Sequence, residues 1–114
     1  ELQRLSYLDT PHEVLAVIQM PPAEKPLPPS NTWVLALDGI QDPGNLGTII
    51  RIADWFGIEH IIASINTADV FNPKVVQATM GSIARVQLHY AHLHEVLTNY
   101  PVIYGTLLEG DNVV

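Results

Sequence analysis

The chain alternates short apolar runs with stretches whose apolar residues recur every three or four positions, and that alternation predicts an α/β protein. Trp33 to Leu37 is a short apolar run that predicts a buried strand. Asp38-Gly39 and then Asp42-Pro43-Gly44-Asn45 supply the residues that stop it. Leu46, Ile49, Ile50, Ala53 and Phe56 follow at helical spacing, with Asn45 as the expected N-cap and Gly57 where a helix C-terminus takes a residue of positive φ. His60 to Ala63 reads as the next buried strand, so strand, helix and strand form a βαβ unit with parallel strands. Asn72 caps a second helix with Pro73 at its first position, running through Val75, Val76, Ala78 and Thr79 to Gly81. Val86 to Leu88 is the third predicted strand. Leu93, Val96, Leu97 and Tyr100 predict a third amphipathic helix closed by Pro101, and Val102 to Leu107 the fourth strand. The expected fold is a mainly parallel sheet of these four strands with flanking helices on its faces.

Ahead of this unit, Val14 to Ile18 has the apolar, partly β-branched character of a further buried strand. Pro21, Pro22, Pro26, Pro28 and Pro29 then hold the backbone extended and remove ladder donors, which marks a linker. The chain divides accordingly into residues 1–20, a proline-rich linker over 21–32, and a domain over 33–114.

The first helix has a second face. At about 100° per residue, Thr48, Arg51 and Trp55 fall together, opposite the apolar positions. Periodicity alone leaves two readings of Arg51 equally open: an ordinary solvated arginine, or a cation aimed at an anionic or hydroxylic ligand beside a glycine-rich loop. Two nucleotide-binding patterns are excluded. Gly39 and Gly44 have the spacing of a triphosphate loop, but Asn45-Leu46 occupies the place of Lys-Ser/Thr. Gly39, Gly44 and Gly47 are likewise spaced wrongly for the dinucleotide fingerprint.

The stretch Asp42-Pro43-Gly44-Asn45-Leu46-Gly47, with Arg51 on the helix after it, resembles the first motif of the SpoU (TrmH-like) RNA 2′-O-ribose methyltransferases of the SPOUT superfamily. The similarity continues through Ala53, Phe56-Gly57, Asp69-Val70-Phe71-Asn72-Pro73-Lys74 and Ala78-Thr79-Met80-Gly81-Ser82, and covers residues 33 to 108. The resemblance implies a partial SPOUT (α/β knot) domain. The Gly-Glu loop and the Ser-Leu-Asn segment that complete the family's knot have no counterpart before Val114, so the knot is expected to be incomplete in this chain and the fragment by itself inactive. It also implies that residues 1–20 are the tail of a preceding ribosomal-protein-like RNA-binding domain. The implied cofactor is S-adenosylmethionine, with Thr106 at its pocket, and the implied substrate a structured rRNA or tRNA acted on by a homodimer. Asn45 is then expected to order the loop and Arg51 to contact the ribose 2′-hydroxyl. A guanidinium, with a pKa above ~12, is a poor general base, so Arg51 would chiefly orient the hydroxyl and stabilise negative charge. A noncatalytic RNA-binding or assembly module and a Rossmann-like binder of a small nucleotide are the competing readings.

Composition changes this picture in one respect. The formal charge is −7, and the five Lys/Arg (Arg4, Lys25, Arg51, Lys74 and Arg85) are too few for a broad phosphate-binding surface, so an RNA substrate would draw most of its phosphate contacts from outside these residues. The chain has no cysteine, which excludes disulfides and thiolate metal sites and fits a reducing cytoplasm. No apolar run reaches the ~20 residues of a membrane-spanning helix. His89, His92 and His94 lack a ligand pattern such as His-Glu-x-x-His and are expected on a solvated surface, with no metal.

Overall fold

The computed structural model describes residues 16–22 and 26–106, and its centre is a three-stranded parallel sheet in the order β1 (Val34–Leu37), β2 (His60–Ser64), β3 (Gln87–Ala91). On one side of β2, Leu35 pairs with Ile61 and Ala36 with Ile62. On its other side, Ile61 pairs with Leu88 and Ile62 with His89. Paired residues share a face, so Leu35, Ile61 and Leu88 point one way and Ala36, Ile62 and His89 the other.

Helix α1 (Pro43–Trp55) joins β1 to β2, and α2 (Pro73–Thr79) lies between β2 and β3. Leu46, Ile50 and Ala53 of α1 and Val75 of α2 form the core with Leu37, Ile61, Val70 and Val86. Leu46, Ile50, Ile61 and Val75 are completely buried. Each such side chain contributes about 1.5–3 kcal/mol relative to its exposed state. The two helices touch at Gly47, where a Cβ would lie 2.3 Å from the Ala78 Cβ. Glycine is what lets them approach.

The start of α1 differs from expectation. Asp42, not Asn45, is the N-cap: its Oδ2 accepts the Asn45 backbone N–H at 2.8 Å. Pro43 follows at the first helical position, where its fixed φ suits the helix and its missing N–H costs nothing. The Asp-Pro pair therefore begins the helix before Asn45, which becomes a residue of the first turn. At the other end Gly57 has φ +72°, with Gly57 N–H donating to Asp54 O and Ile58 N–H to Ala53 O. This is a Schellman closure, as the glycine predicted. In α2, Asn72 accepts the Lys74 N–H at 2.9 Å, but the helix ends at Thr79 because Met80 already adopts φ +51°.

Further expectations are corrected. The third strand runs on to Ala91, so His89 is a strand residue and is buried, its Nε2 lying 3.2 Å from His60 Nδ1 on the next strand; only His92 and His94 are exposed. Helix α3 (Leu93–Leu97) is shorter than the periodicity to Tyr100 indicated. Residues 102–106 form no strand, and Leu107 lies outside the described residues. A strand pattern becomes a strand only beside a partner that completes its ladder. In this segment Tyr104 stacks on Trp33, and just before it the Tyr100 hydroxyl donates to Pro28 O at 3.1 Å. The same applies at the other end: Val14 and Leu15 lie outside the described residues, while Ala16, Val17 and Ile18 are exposed coil.

Candidate functional site

The exposed side of α1, the end of α2 and a 3₁₀ turn at Ser82–Ala84 enclose an open groove of about 660 Å³. Thr48, Arg51 and Trp55 all line it, so the second face read from the sequence is one wall of a concave surface. Arg51 is exposed and has no carboxylate at ion-pair distance among the described residues. Its neighbour one turn back is committed: Thr48 Oγ1 donates to Gly44 O at 2.8 Å.

Three polar side chains that sequence reasoning missed complete the groove. Arg85 Nε donates to Asp54 Oδ1 at 3.0 Å and Oδ2 at 2.8 Å, and Arg85 Nη2 lies 2.7 Å from Asp54 Oδ2. Ser82 Oγ donates to the same Oδ2 at 2.8 Å. The Arg85 hydrogen bonds, and secondarily that from Ser82, hold the Asp54 carboxyl below its ordinary range; the same contact raises Arg85 further. Asp54 and Arg85 are 31 positions apart, and no local pattern links them.

The rest of the wall is apolar. Trp55, Phe56 and Met80 are 86%, 73% and 74% exposed, and Ile52 joins them. Met80 sits there at a left-handed φ that costs a non-glycine residue roughly 1–2 kcal/mol.

The remaining expected site residues lie elsewhere. Asn45 is exposed on the first turn of α1 and does not line the groove. It is six helical positions from Arg51, about 9 Å along the axis and roughly 120° around it. Thr106 lies in exposed coil beyond α3.

At the C-terminal end of the sheet, where open α/β sheets bind ligands, several polar groups bond to one another. Ser64 Oγ accepts the Gly39 N–H at 2.8 Å and donates to Asn66 Oδ1 at 2.6 Å, with Thr67 Oγ1 at 3.0 Å. Tyr90 OH accepts the Val70 N–H at 2.8 Å and donates to Ala68 O at 2.6 Å, tying the loop after β2 to β3. Among the described residues no buried side-chain nitrogen or oxygen lacks a partner, none of their His or carboxylate residues cluster as metal ligands, and no helix is long and apolar enough to cross a membrane.

Comparison with known proteins adds what the geometry leaves open. The family model described as "SpoU rRNA Methylase family" matches residues 32–113. The chain is 37% identical over 107 residues to a 23S rRNA guanosine 2′-O-methyltransferase of Bacillus subtilis, covering 90% of this chain and 42% of that protein. A TrmH-family protein from Porphyromonas gingivalis superposes with a TM-score of 0.75 at 47% identity, over 85% of this chain and 38% of its own. The SpoU methyltransferase AviRb of Streptomyces viridochromogenes, solved in complex with the cofactor AdoMet, superposes with a TM-score of 0.68 at 31% identity over the same shares. The chain thus spans less than half the length of each of these relatives.

Proposed function

The chain belongs to the SpoU rRNA methylase family, and on that premise we propose that the whole protein is an S-adenosylmethionine-dependent RNA methyltransferase of the cytoplasm, acting on a ribose 2′-hydroxyl of rRNA or tRNA. The observation that carries the assignment to this chain's residues is Arg51: an exposed guanidinium without an acidic partner among the described residues, held on a helix whose start is fixed by the Asp42 cap. In-line methyl transfer to a hydroxyl needs the two reactants held in line more than it needs new bonds to the protein. The cofactor supplies the methyl group; most of its pocket would come from outside the described residues, with Thr106 at its edge. Arg51 would orient the ribose hydroxyl or its neighbouring phosphate and stabilise the charge that develops on oxygen. Asn45 would act at a distance from it, fixing the loop through the backbone bond to Asp42.

The apolar stretch of the groove supports a homodimer. Ile52, Trp55, Phe56 and Met80 expose together, beside Arg51, and a second copy of the chain covering them would bring another surface to the site.

The test is methylation of ribosomal RNA by the full-length protein carrying Arg51→Ala or Arg51→Lys. Turnover should fall about 10²–10³-fold in the alanine variant. Lysine should not restore it, because a point charge does not reproduce a planar fork. Stability should change by less than ~0.5 kcal/mol, since the side chain is exposed. A folded Arg51→Ala enzyme of unchanged oligomeric state that methylates at close to the normal rate would remove the assignment.

A further inference from the structure

We propose that Arg85 is a second anion-binding group of the Arg51 groove, receiving a backbone phosphate of the RNA. The inference rests on the reading of the protein as acting on RNA and extends it to a residue which that reading leaves unused.

The charge distribution is the first argument. The chain carries a formal charge of −7, yet of its three described cations, Arg51, Lys74 and Arg85, two line this one groove. Asp54 is the carboxylate among the lining residues, and it is matched by Arg85, so the groove is left with one net positive charge in an otherwise acidic chain.

Geometry is the second. Asp54 takes Arg85 by Nε and Nη2, on one side of the guanidinium. Nη1 has no partner among the described residues, and the side chain is 62% exposed, so the remaining edge of the fork is available to solvent or a ligand. Ser82 fixes the carboxylate from a second direction. The fork is thereby oriented before any ligand arrives, which lowers the side-chain entropy lost on contact. A surface ion pair kept only for stability would contribute little. Held this way, Arg85 is a preoriented phosphate donor set into the wall that also carries Arg51.

The experiment is a salt titration of RNA binding by the full-length protein, using a short fluorescent oligouridylate as probe between about 50 and 200 mM salt. Each lost phosphate contact lowers the slope of log K against log salt by about one and weakens binding across sequences alike. Arg85→Gln should show that loss, and Lys74→Gln, altering an exposed cation outside the groove, should not. Because Arg85→Gln leaves Asp54 unpaired, Asp54→Asn with Arg85→Gln is the second variant. It keeps the wild-type net charge and puts two amides in contact, so a general field effect predicts an unchanged slope, whereas a direct contact predicts the same loss of about one. A wild-type slope in the folded double variant, or an equal loss in Lys74→Gln, would overturn the proposal. Methylation by Arg51→Ala, measured in parallel, separates the two readings: normal turnover there removes the catalytic assignment without touching the Arg85 slope, and an unchanged Arg85 slope leaves the catalytic assignment standing.

Discussion

Replacing Gly47 with alanine sets two effects of opposite sign against each other. Alanine is the better helix former by about 0.8–1.0 kcal/mol, so propensity alone predicts a more stable α1. The structure predicts the reverse. The added Cβ would stand 2.3 Å from the Ala78 Cβ, 2.8 Å from its carbonyl carbon and 3.0 Å from its Cα. Carbon atoms prefer about 3.5–4.0 Å, so relief requires α1 and α2 to separate by more than an ångström at their contact. No rotamer change can help, because the obstructing atoms are backbone and a methyl. Overpacking of this kind costs about 1–3 kcal/mol and occasionally more, and a backbone obstruction places it at the upper end. Subtracting the propensity gain leaves a net destabilisation of about 2 kcal/mol. Urea denaturation of the full-length protein should show the midpoint falling with little change in slope. A double cycle with Ala78→Gly should show favourable coupling, since that substitution removes the nearest atom while the backbone contacts persist. A Gly47→Ala protein as stable as wild type, or more so, would mean that the two helices do not meet as described.

Tyr90→Phe should destabilise by about 1–3 kcal/mol, because the hydroxyl that accepts from Val70 N–H and donates to Ala68 O is lost while Val70 stays buried; a thermal-melt difference equivalent to under ~0.5 kcal/mol would contradict it. Acid stability should depend on Asp54. Its folded-state pKa is depressed, first by the Arg85 hydrogen bond, so the contribution is present above the unfolded value of 3.8 and disappears as pH falls through the lower folded value. Asp54→Asn should therefore flatten the acid limb of stability against pH, and an unchanged limb would refute the pairing.

The fold was legible where local signals and tertiary demands coincide. Val75 and Leu46 face the core as their spacing required, and Gly57 and Asn72 perform the capping their chemistry suggested. The errors have physical causes. Asn45 and Asp42 are both good N-cap residues, and Asp42 takes the role because Pro43 biases the residue before it to the extended geometry an N-cap adopts and is itself preset for the first helical position. The absence of a ligand pattern says nothing of burial: His89 is buried because β3 runs past Leu88 along β2, and strand ends are set by the neighbour's ladder, which a single segment does not encode. Val102 to Thr106 has the composition of a strand, but composition does not supply a partner edge.

The candidate site divides along the same line. Thr48, Arg51 and Trp55 share a groove because helical periodicity is local, and a periodicity argument therefore reaches them. Asp54, Ser82 and Arg85 meet because the chain returns to the end of α1 after passing through β2 and α2, the helix that meets α1 closely at Gly47. The motif glycine and the groove's second cation are thus linked: forcing α1 and α2 apart would also shift the 3₁₀ turn that carries Ser82, and with it the Arg85 fork. The groove is built from α1 together with the segment that follows α2, which is why reading α1 alone yields only part of it.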